Sequence, residues 1–364
     1  MSILNLIRPE LLNSPNYVPG GEDSEFRLHA NELPWSPVEI DSIKLNYYPD
    51  TRLQLKLQEL LATRYGVNMN QITLTRGSDD GIDLVTRLFL TAGKDAFMQF
   101  PPTFPMYAFY VRLQQSELIQ CPLDQNADFS LALETIQSSW KPNCKIIMFC
   151  SPNNPTGTLI DLELIAATCE LYANRAVVVV DEAYIEFSCA QSAISLIPRF
   201  ENLVVLRTMS KAGGLAGLRL GSIIAQSPVI DAFNKIIAPY IIPGPVVSLA
   251  TQALNNKDWF TSAITSIQSS RESLVKALEE SSVIDKVCPT ETNFVLVKSQ
   301  YARELALWFA TKGIAVRDFP PASLLHDHLR LTVGDENQNQ ILMAALASFS
   351  NNVSGLKDAK DIVY

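Results

Sequence analysis

Ala176-Val177-Val178-Val179-Val180-Asp181 sets four consecutive valines against a single carboxylate. Such a run has no polar face, so it is expected to be a strand buried on both sides, as in a parallel sheet. Three similar runs lie around it. Residues 96–100 end at Pro101-Pro102, residues 145–150 lead into Ser151-Pro-Asn-Asn-Pro-Thr-Gly157, and residues 203–207 stop just before Thr208, Ser210 and Lys211. A shorter strand is expected at 71–74. Between these runs the apolar period changes to that of helices. Residues 53–65 carry Leu53, Leu57, Leu60 and Leu61 on one face, residues 79–90 follow Ser78 as a candidate cap, and residues 161–173 provide another crossover. Alternating strands and helices imply an α/β fold with a mostly parallel central sheet flanked by helices. The polar residues of interest fall mostly just past the C-terminal ends of the strands, where open α/β sheets bind ligands.

The flanks read differently. Residues 1–45 are punctuated by Pro9, Pro15, Pro19, Pro34 and Pro37 and are expected to form an N-terminal arm. Residues 46–244 then make the large α/β domain. Residues 245–350 make a smaller α+β domain, with helical stretches at 246–254 and 264–281, strands at 294–297, 314–317 and 329–333, and helices at 303–312 and 337–348. Residues 351–364 are polar and expected to be a loosely ordered tail. No internal repeat is found.

Composition narrows the function. The 364 residues are 47% hydrophobic and 18% charged, which supports a sizeable core. A net charge of −9 argues against a nucleic-acid partner but not against a phosphorylated substrate held by a few arginines. Six cysteines without a C-x-x-C pair fit reduced thiols in the cytoplasm. No secretory signal is read at the start, and the apolar region 236–254 is broken by Pro239, Pro243 and Pro245, so no membrane span is expected. His326 and His328 in H-D-H lack a third nitrogen ligand apart from His29. A solvated turn is therefore preferred to a metal site there.

The loops past the strands carry a set of residues that pyridoxal 5′-phosphate requires. That cofactor needs a lysine for its aldehyde, an acid for its ring nitrogen, donors for its ring oxygen, an anion site for its phosphate and a flat apolar surface. Lys211, beside three glycines in Thr208-Met-Ser-Lys-Ala-Gly-Gly-Leu-Ala-Gly-Leu-Arg219, is a poor candidate for a surface lysine. Asp181 can hold the ring proton, and Asn154 and Tyr184 can donate to the ring oxygen. Ser78 and Asp79 open a helix after Gly77, so their N–H groups suit an anion. Ser210 and Arg219 add a hydroxyl and a guanidinium fork, with Thr208 beside them. Phe104 can lie flat on the ring.

The ordered set RGSDDGI, PPTFPMY, SPNNPTG, VVVVDEAYIEF, LRTMSKAGGLAGLR and LRLTVG resembles the histidinol-phosphate aminotransferase family of fold-type-I pyridoxal phosphate enzymes over residues 9–348. The resemblance implies that Lys211 bonds the cofactor and that Asp181, Asn154, Tyr184, Ser78, Asp79, Ser210 and Arg219 hold it. It implies that Arg330 grips the substrate's anionic group, that Arg317, Tyr17 and Asn31 lie on the substrate side, and that Tyr48 reaches the cofactor phosphate of a second subunit in a homodimer. It further implies amino transfer from histidinol phosphate to 2-oxoglutarate in L-histidine biosynthesis. There are two departures. Phe104 stands where many relatives carry tyrosine, and Gly213 follows Ala212 where phenylalanine is common. An aromatic amino acid aminotransferase or a phosphothreonine decarboxylase of the same fold would keep Lys211 and Asp181. A non-catalytic ligand-binding module is the reading from another class.

Overall fold

Alternate residues of the valine run face opposite ways, and each pair is buried in a different core. In a computed structural model, which describes residues 2–7 and 45–361, strand β5 (Val177–Asp181) sends Val178 and Val180 into one apolar cluster and Val177 and Val179 into another. All four valines are fully buried. The first cluster includes Leu57 and Leu61 of helix α1 (Thr51–Tyr65), and the second includes Ile82, Val85 and Phe89 of α2 (Ser78–Phe89). Burial on both faces is why the run shows no alternation.

The central sheet comprises β1 (Ile72–Thr75), β2 (Ala96–Gln99), β3 (Glu117–Gln120), β4 (Cys144–Cys150), β5, β6 (Leu203–Thr208) and β7 (Gly221–Ile224), in the order β1-β7-β6-β5-β4-β2-β3. β3, β2, β4, β5 and β6 are mutually parallel; β7 alone is reversed, pairing antiparallel with β6 on one side and with β1 on the other, so that β1 points the same way as β6. Helices α3 (Met106–Leu113), α4 (Leu133–Ser139), α5 (Leu162–Leu171) and α6 (Ser227–Asn234) complete the layers. The chain runs from β2 outward to β3, then returns past β2 to β4. A crevice therefore opens at the carboxyl ends of β2 and β4.

A buried ion pair fixes β5 against β6. Arg207 Nη1 donates to Glu182 Oε2 at 3.0 Å and Nη2 to Glu186 Oε1 at 2.6 Å. Glu182 also accepts from Ser192 Oγ and from the Ala193 N–H, so its charge is well matched.

Helices α7 (Gly244–Leu254) and α8 (Lys257–Glu279) lead to a second, antiparallel sheet of β8 (Lys286–Val287), β9 (Phe294–Lys298), β10 (Arg317–Asp318) and β11 (His328–Thr332), in the order β10-β11-β9-β8. Helices α9 (Ala302–Thr311) and α10 (Glu336–Asp361) pack there, around Leu278, Val295, Val297, Phe309 and Leu331. The loop after β4 bonds the loop before β9. Gly157 O accepts from Glu291 N at 2.8 Å, and a Cβ on Gly157 would lie 2.5 Å from Thr290 Oγ1. From α8, Gln268 and Arg271 both donate to Phe187 O.

Several expectations need correction. Gly77, not Ser78, caps α2: its φ of 85° suits glycine, and Ser78 is already helical. Helix α8 starts at Lys257, because Asn256 accepts from Trp259 N and restarts the helix right after α7. The strand expected at 314–317 shrinks to Arg317–Asp318. Helix α10 continues to Asp361 rather than stopping near 348. No proline interrupts that segment, and Leu356, Lys357 and Ala359 favour helix. His328 is a buried residue of β11, not part of a solvated turn: its Nδ1 lies 2.6 Å from Asp327 Oδ1, and burial holds its pKa below the usual value. Only His326 of that pair is exposed. The cysteines are free thiols, all buried except Cys189. Among the described residues, no helix is long and apolar enough to cross a membrane.

Candidate active site

The ends of β2, β4, β5 and β6 supply Gln99, Cys150, Asp181 and Thr208 to one cavity of about 790 Å³. Its wall also includes Arg317, Phe319, Leu325 and Arg330 from the second sheet and its loops, so both sheets build it.

Asp181 closes β5 and is almost wholly buried. Its Oδ2 accepts from the Tyr107 hydroxyl at 2.8 Å and its Oδ1 from the Ala183 N–H at 3.1 Å. Burial raises its pKa from 3.8 to about 6, and these two donors oppose the rise. Three residues on, Tyr184 sets its ring edge-on to Phe294, with centroids 5.1 Å apart. Its hydroxyl lies 3.4 Å from Asn154 Nδ2, and the Lys211 amine stands 5.5 Å from its ring centre. Burial pushes the Tyr184 hydroxyl well above its usual pKa, so it remains a donor.

Lys211 lies in the loop between β6 and β7. The side chain opens onto the cavity, yet protein crowds its amine. Burial first, and then the positive charge of Arg330, lower its pKa, against an opposing pull from Asp79. The loop is tightly wound: a Cβ on Gly213 would meet Met209 O at 2.4 Å, and one on Gly214 would meet Trp259 Cη2 at 2.7 Å. Phenylalanine at 213 would not fit this conformation, which gives the sequence departure there a physical reason.

A separate group of donors surrounds the start of α2. Arg219, in a left-handed conformation with φ 52°, directs Nη1 to Ser210 Oγ at 3.1 Å and Nη2 to Asp79 Oδ2 at 3.2 Å. The Thr208 hydroxyl bonds Ser210 Oγ at 3.0 Å. A Cβ on Gly77 would sit 2.7 Å from Arg219 Nη2, so glycine is what lets the guanidinium approach the helix start. Two hydroxyls, a guanidinium and the open N-terminus of a twelve-residue helix form an anion cradle. Set beside Asp181, Lys211 and the apolar wall of Phe104, that donor set fits pyridoxal phosphate.

On the opposite sheet, Arg317 and Arg330 face each other across β10 and β11. Arg330 Nη1 donates to Asn154 Oδ1, its guanidinium lies 5.0 Å from the Phe294 ring centre, and its Nε has no protein partner. Burial and the Arg317 charge lower its pKa, with Tyr184 acting the other way.

The cavity thus gathers Ser78, Asp79, Phe104, Asn154, Asp181, Tyr184, Thr208, Ser210, Lys211, Arg219, Arg317 and Arg330. Tyr48 does not line it, and stacks instead on Tyr240 with centroids 4.5 Å apart. Tyr17 and Asn31 lie outside the described residues. Sequence reasoning missed Tyr107 and Gln99. Nothing local marks Gln99, but the tyrosine three residues past Phe104 in PPTFPMY could have been tested as a partner for a buried acid.

The "Aminotransferase class I and II" family profile matches residues 25–346. A curated relative from Legionella pneumophila (strain Lens), "Histidinol-phosphate aminotransferase 1", is 66% identical over 364 residues, covering 100% of both chains. A histidinol-phosphate aminotransferase from Xylella fastidiosa (strain 9a5c) is 38% identical over 95% of this chain and 96% of its own. The crystal structure of histidinol-phosphate aminotransferase from Sinorhizobium meliloti in complex with pyridoxal-5′-phosphate is similar with a TM-score of 0.77 at 25% identity, covering 84% of this chain and 83% of that one.

Proposed function

Because the chain belongs to the class I and II aminotransferase family, we propose that it is a pyridoxal-phosphate-dependent histidinol-phosphate aminotransferase. It moves the amino group of histidinol phosphate to 2-oxoglutarate, in L-histidine biosynthesis. The observation that carries this reading is a single cavity that joins Lys211 and Asp181 to an anion cradle on one sheet and to Arg317 and Arg330 on the other.

When bound, the cofactor supplies a carbon that bonds the amino nitrogen and a ring that takes up the electron pair left behind by the Cα proton. The chain does the rest. Ser78, Asp79, Thr208, Ser210 and Arg219 hold the cofactor phosphate, and Phe104 covers one face of the ring. Asn154 and Tyr184 hold the ring oxygen, and the Asp181 carboxylate keeps a proton on the ring nitrogen. Lys211 anchors the cofactor. Its Nζ, freed when the substrate's amine takes its place and made less basic by burial and by Arg330, would take the proton from the substrate Cα and return it to the cofactor carbon on the other side of the amino nitrogen. Arg330 binds the substrate's anionic group, a phosphate in one half-reaction and a carboxylate in the other, and a guanidinium fork suits both. Arg317, Tyr17 and Asn31 complete the substrate side.

Tyr48 serves the cofactor phosphate of a second subunit, making the working form a homodimer. We place residues 46–244 and 245–350 as the large and small domains, and the enzyme in the cytoplasm.

The test mixes the purified, cofactor-loaded protein with single amines and follows its visible absorbance. Histidinol phosphate should convert it to the pyridoxamine form, and Lys211→Ala should not convert. Conversion by phenylalanine alone would make it an aromatic aminotransferase. Carbon dioxide release from phosphothreonine without conversion would make it a decarboxylase.

A further inference from the structure

Tyr107 touches two groups at once. It lies in the first turn of α3 and is wholly buried. Its hydroxyl is 2.8 Å from Asp181 Oδ2, and its ring meets Phe104 edge to face, with centroids 5.6 Å apart at 81°. We propose that Tyr107 is a positioning residue, whose hydroxyl orients the Asp181 carboxylate and keeps it ionised while its ring backs the apolar wall at Phe104. The inference rests on the assignment of Asp181 to the cofactor's ring nitrogen.

Core packing alone would be served by phenylalanine, because a buried hydroxyl costs free energy unless it finds a partner. Here the partner is a carboxylate, and charge-assisted hydrogen bonds are the stronger kind. Tyr107 donates to Oδ2 and the Ala183 N–H to Oδ1, so both oxygens are pinned and the carboxylate cannot turn. Each oxygen still has a lone pair to offer to the cavity.

The groups around Asp181 make the donor necessary. Glu182 follows it in the chain, and Asp79 faces it from the start of α2. Both add negative charge to the effect of burial and favour the protonated acid. Cys150, at the end of β4, is held neutral by burial, its thiol raised to about 12. Lys211 supplies an opposing positive charge, and Tyr184 stays neutral. Tyr107 has its own ionisation pushed far up by burial and by Asp181, so it donates at every working pH. It is the largest influence opposing burial at this carboxylate.

The test uses cofactor-loaded Tyr107→Phe and, as a nearly isosteric second variant, the protein with 3,5-difluorotyrosine at 107, whose hydroxyl is the stronger donor. For Tyr107→Phe, kcat with histidinol phosphate should fall about tenfold or more while KM stays within about twofold. The Kd of the stripped protein for added pyridoxal phosphate should rise about tenfold. The pH midpoint of the lysine-bound cofactor's visible absorbance should move one way in Tyr107→Phe and the other way in the fluorinated protein. If neither variant moves that midpoint or separates kcat from KM, the inference is wrong, even if Tyr107→Phe melts lower. If Tyr107→Phe does not fold, the fluorinated protein decides alone. Asp181→Ala separates the two failures: if it keeps the wild-type midpoint and activity, the Asp181 assignment falls. If it abolishes both while the 107 variants are silent, only the Tyr107 inference falls.

Discussion

Arg330 Nη1 donates to Asn154 Oδ1 across 176 residues of sequence, linking the second sheet to the loop that follows β4. One arm of the guanidinium is thereby held by the residue assigned to the cofactor oxygen, and the Nε is left without a protein partner. A buried, charged donor left unmatched is costly, so an anion entering the cavity is favoured there.

Lysine cannot reproduce that fork. Arg330→Lys should lower kcat/KM for histidinol phosphate about 100-fold, and Arg330→Ala further still. With one guanidinium assigned to both the phosphate and the carboxylate, as proposed, both halves of the reaction should suffer. Single-turnover absorbance measurements with each substrate would check this. A loss confined to one substrate would mean that Arg317 handles the other.

Arg207 is a structural counterpart, carried on β6, the strand that leads to Lys211, and buried between Glu182 and Glu186. Its removal strands two acids away from water. Arg207→Ala should destabilise the protein by about 3–5 kcal/mol. Replacing Arg207, Glu182 and Glu186 together with apolar residues of similar size should recover most of that loss. Urea unfolding midpoints, at unchanged slope, give the comparison.

The large sheet was readable because its central strands are buried on both faces, and nothing else writes four valines in a row as plainly. The carboxyl ends followed, and with them Asp181, Thr208 and Lys211. β3 and β7 were not readable. β3 is a four-residue edge strand with exposed Glu117 and Gln120, and β7 is four residues opening on Gly221. Arg317 and Arg330 could be picked as candidates, but their pairing exists only through the register of β10 with β11. Tyr107 illustrates the limit well. A tyrosine on a short apolar helix reads as core, and its partner lies 74 residues away.

Asp181 should make the cofactor-stripped protein pH-sensitive. Its folded pKa of about 6 exceeds its ordinary 3.8. A raised folded pKa gives stability that is full below the unfolded value and lost as pH climbs through the folded one. A displacement from 3.8 to about 6, at about 1.4 kcal/mol per pH unit, comes to about 3 kcal/mol. Stripped Asp181→Asn should therefore melt higher than stripped wild type at pH 8, by up to that amount, and the gap should close towards pH 4. With cofactor bound the order should reverse, because a cationic ring nitrogen prefers a carboxylate to an amide. Melting curves of both proteins, stripped and loaded, across that pH range would decide it.

Gly221 carries the last expectation. A Cβ there would lie 2.6 Å from the Gly77 carbonyl carbon and 2.9 Å from Arg207 O, both backbone atoms that cannot swing aside. Gly77 in turn sets the start of α2, beside the anion cradle proposed for the cofactor phosphate. Gly221→Ala should cost about 1–3 kcal/mol as β7 and the cradle are pushed apart. It should also weaken cofactor binding, since the same displacement moves Ser78 away from Arg219. Gly217→Ala is the matched comparison: its Cβ would meet nothing within 4 Å, and stability should change by less than about 0.5 kcal/mol. Urea melts joined to titrations with pyridoxal phosphate would separate the two effects. Tight cofactor binding by a destabilised Gly221→Ala protein would show that the close approach of Gly221 and Gly77 supports the fold and not the cradle.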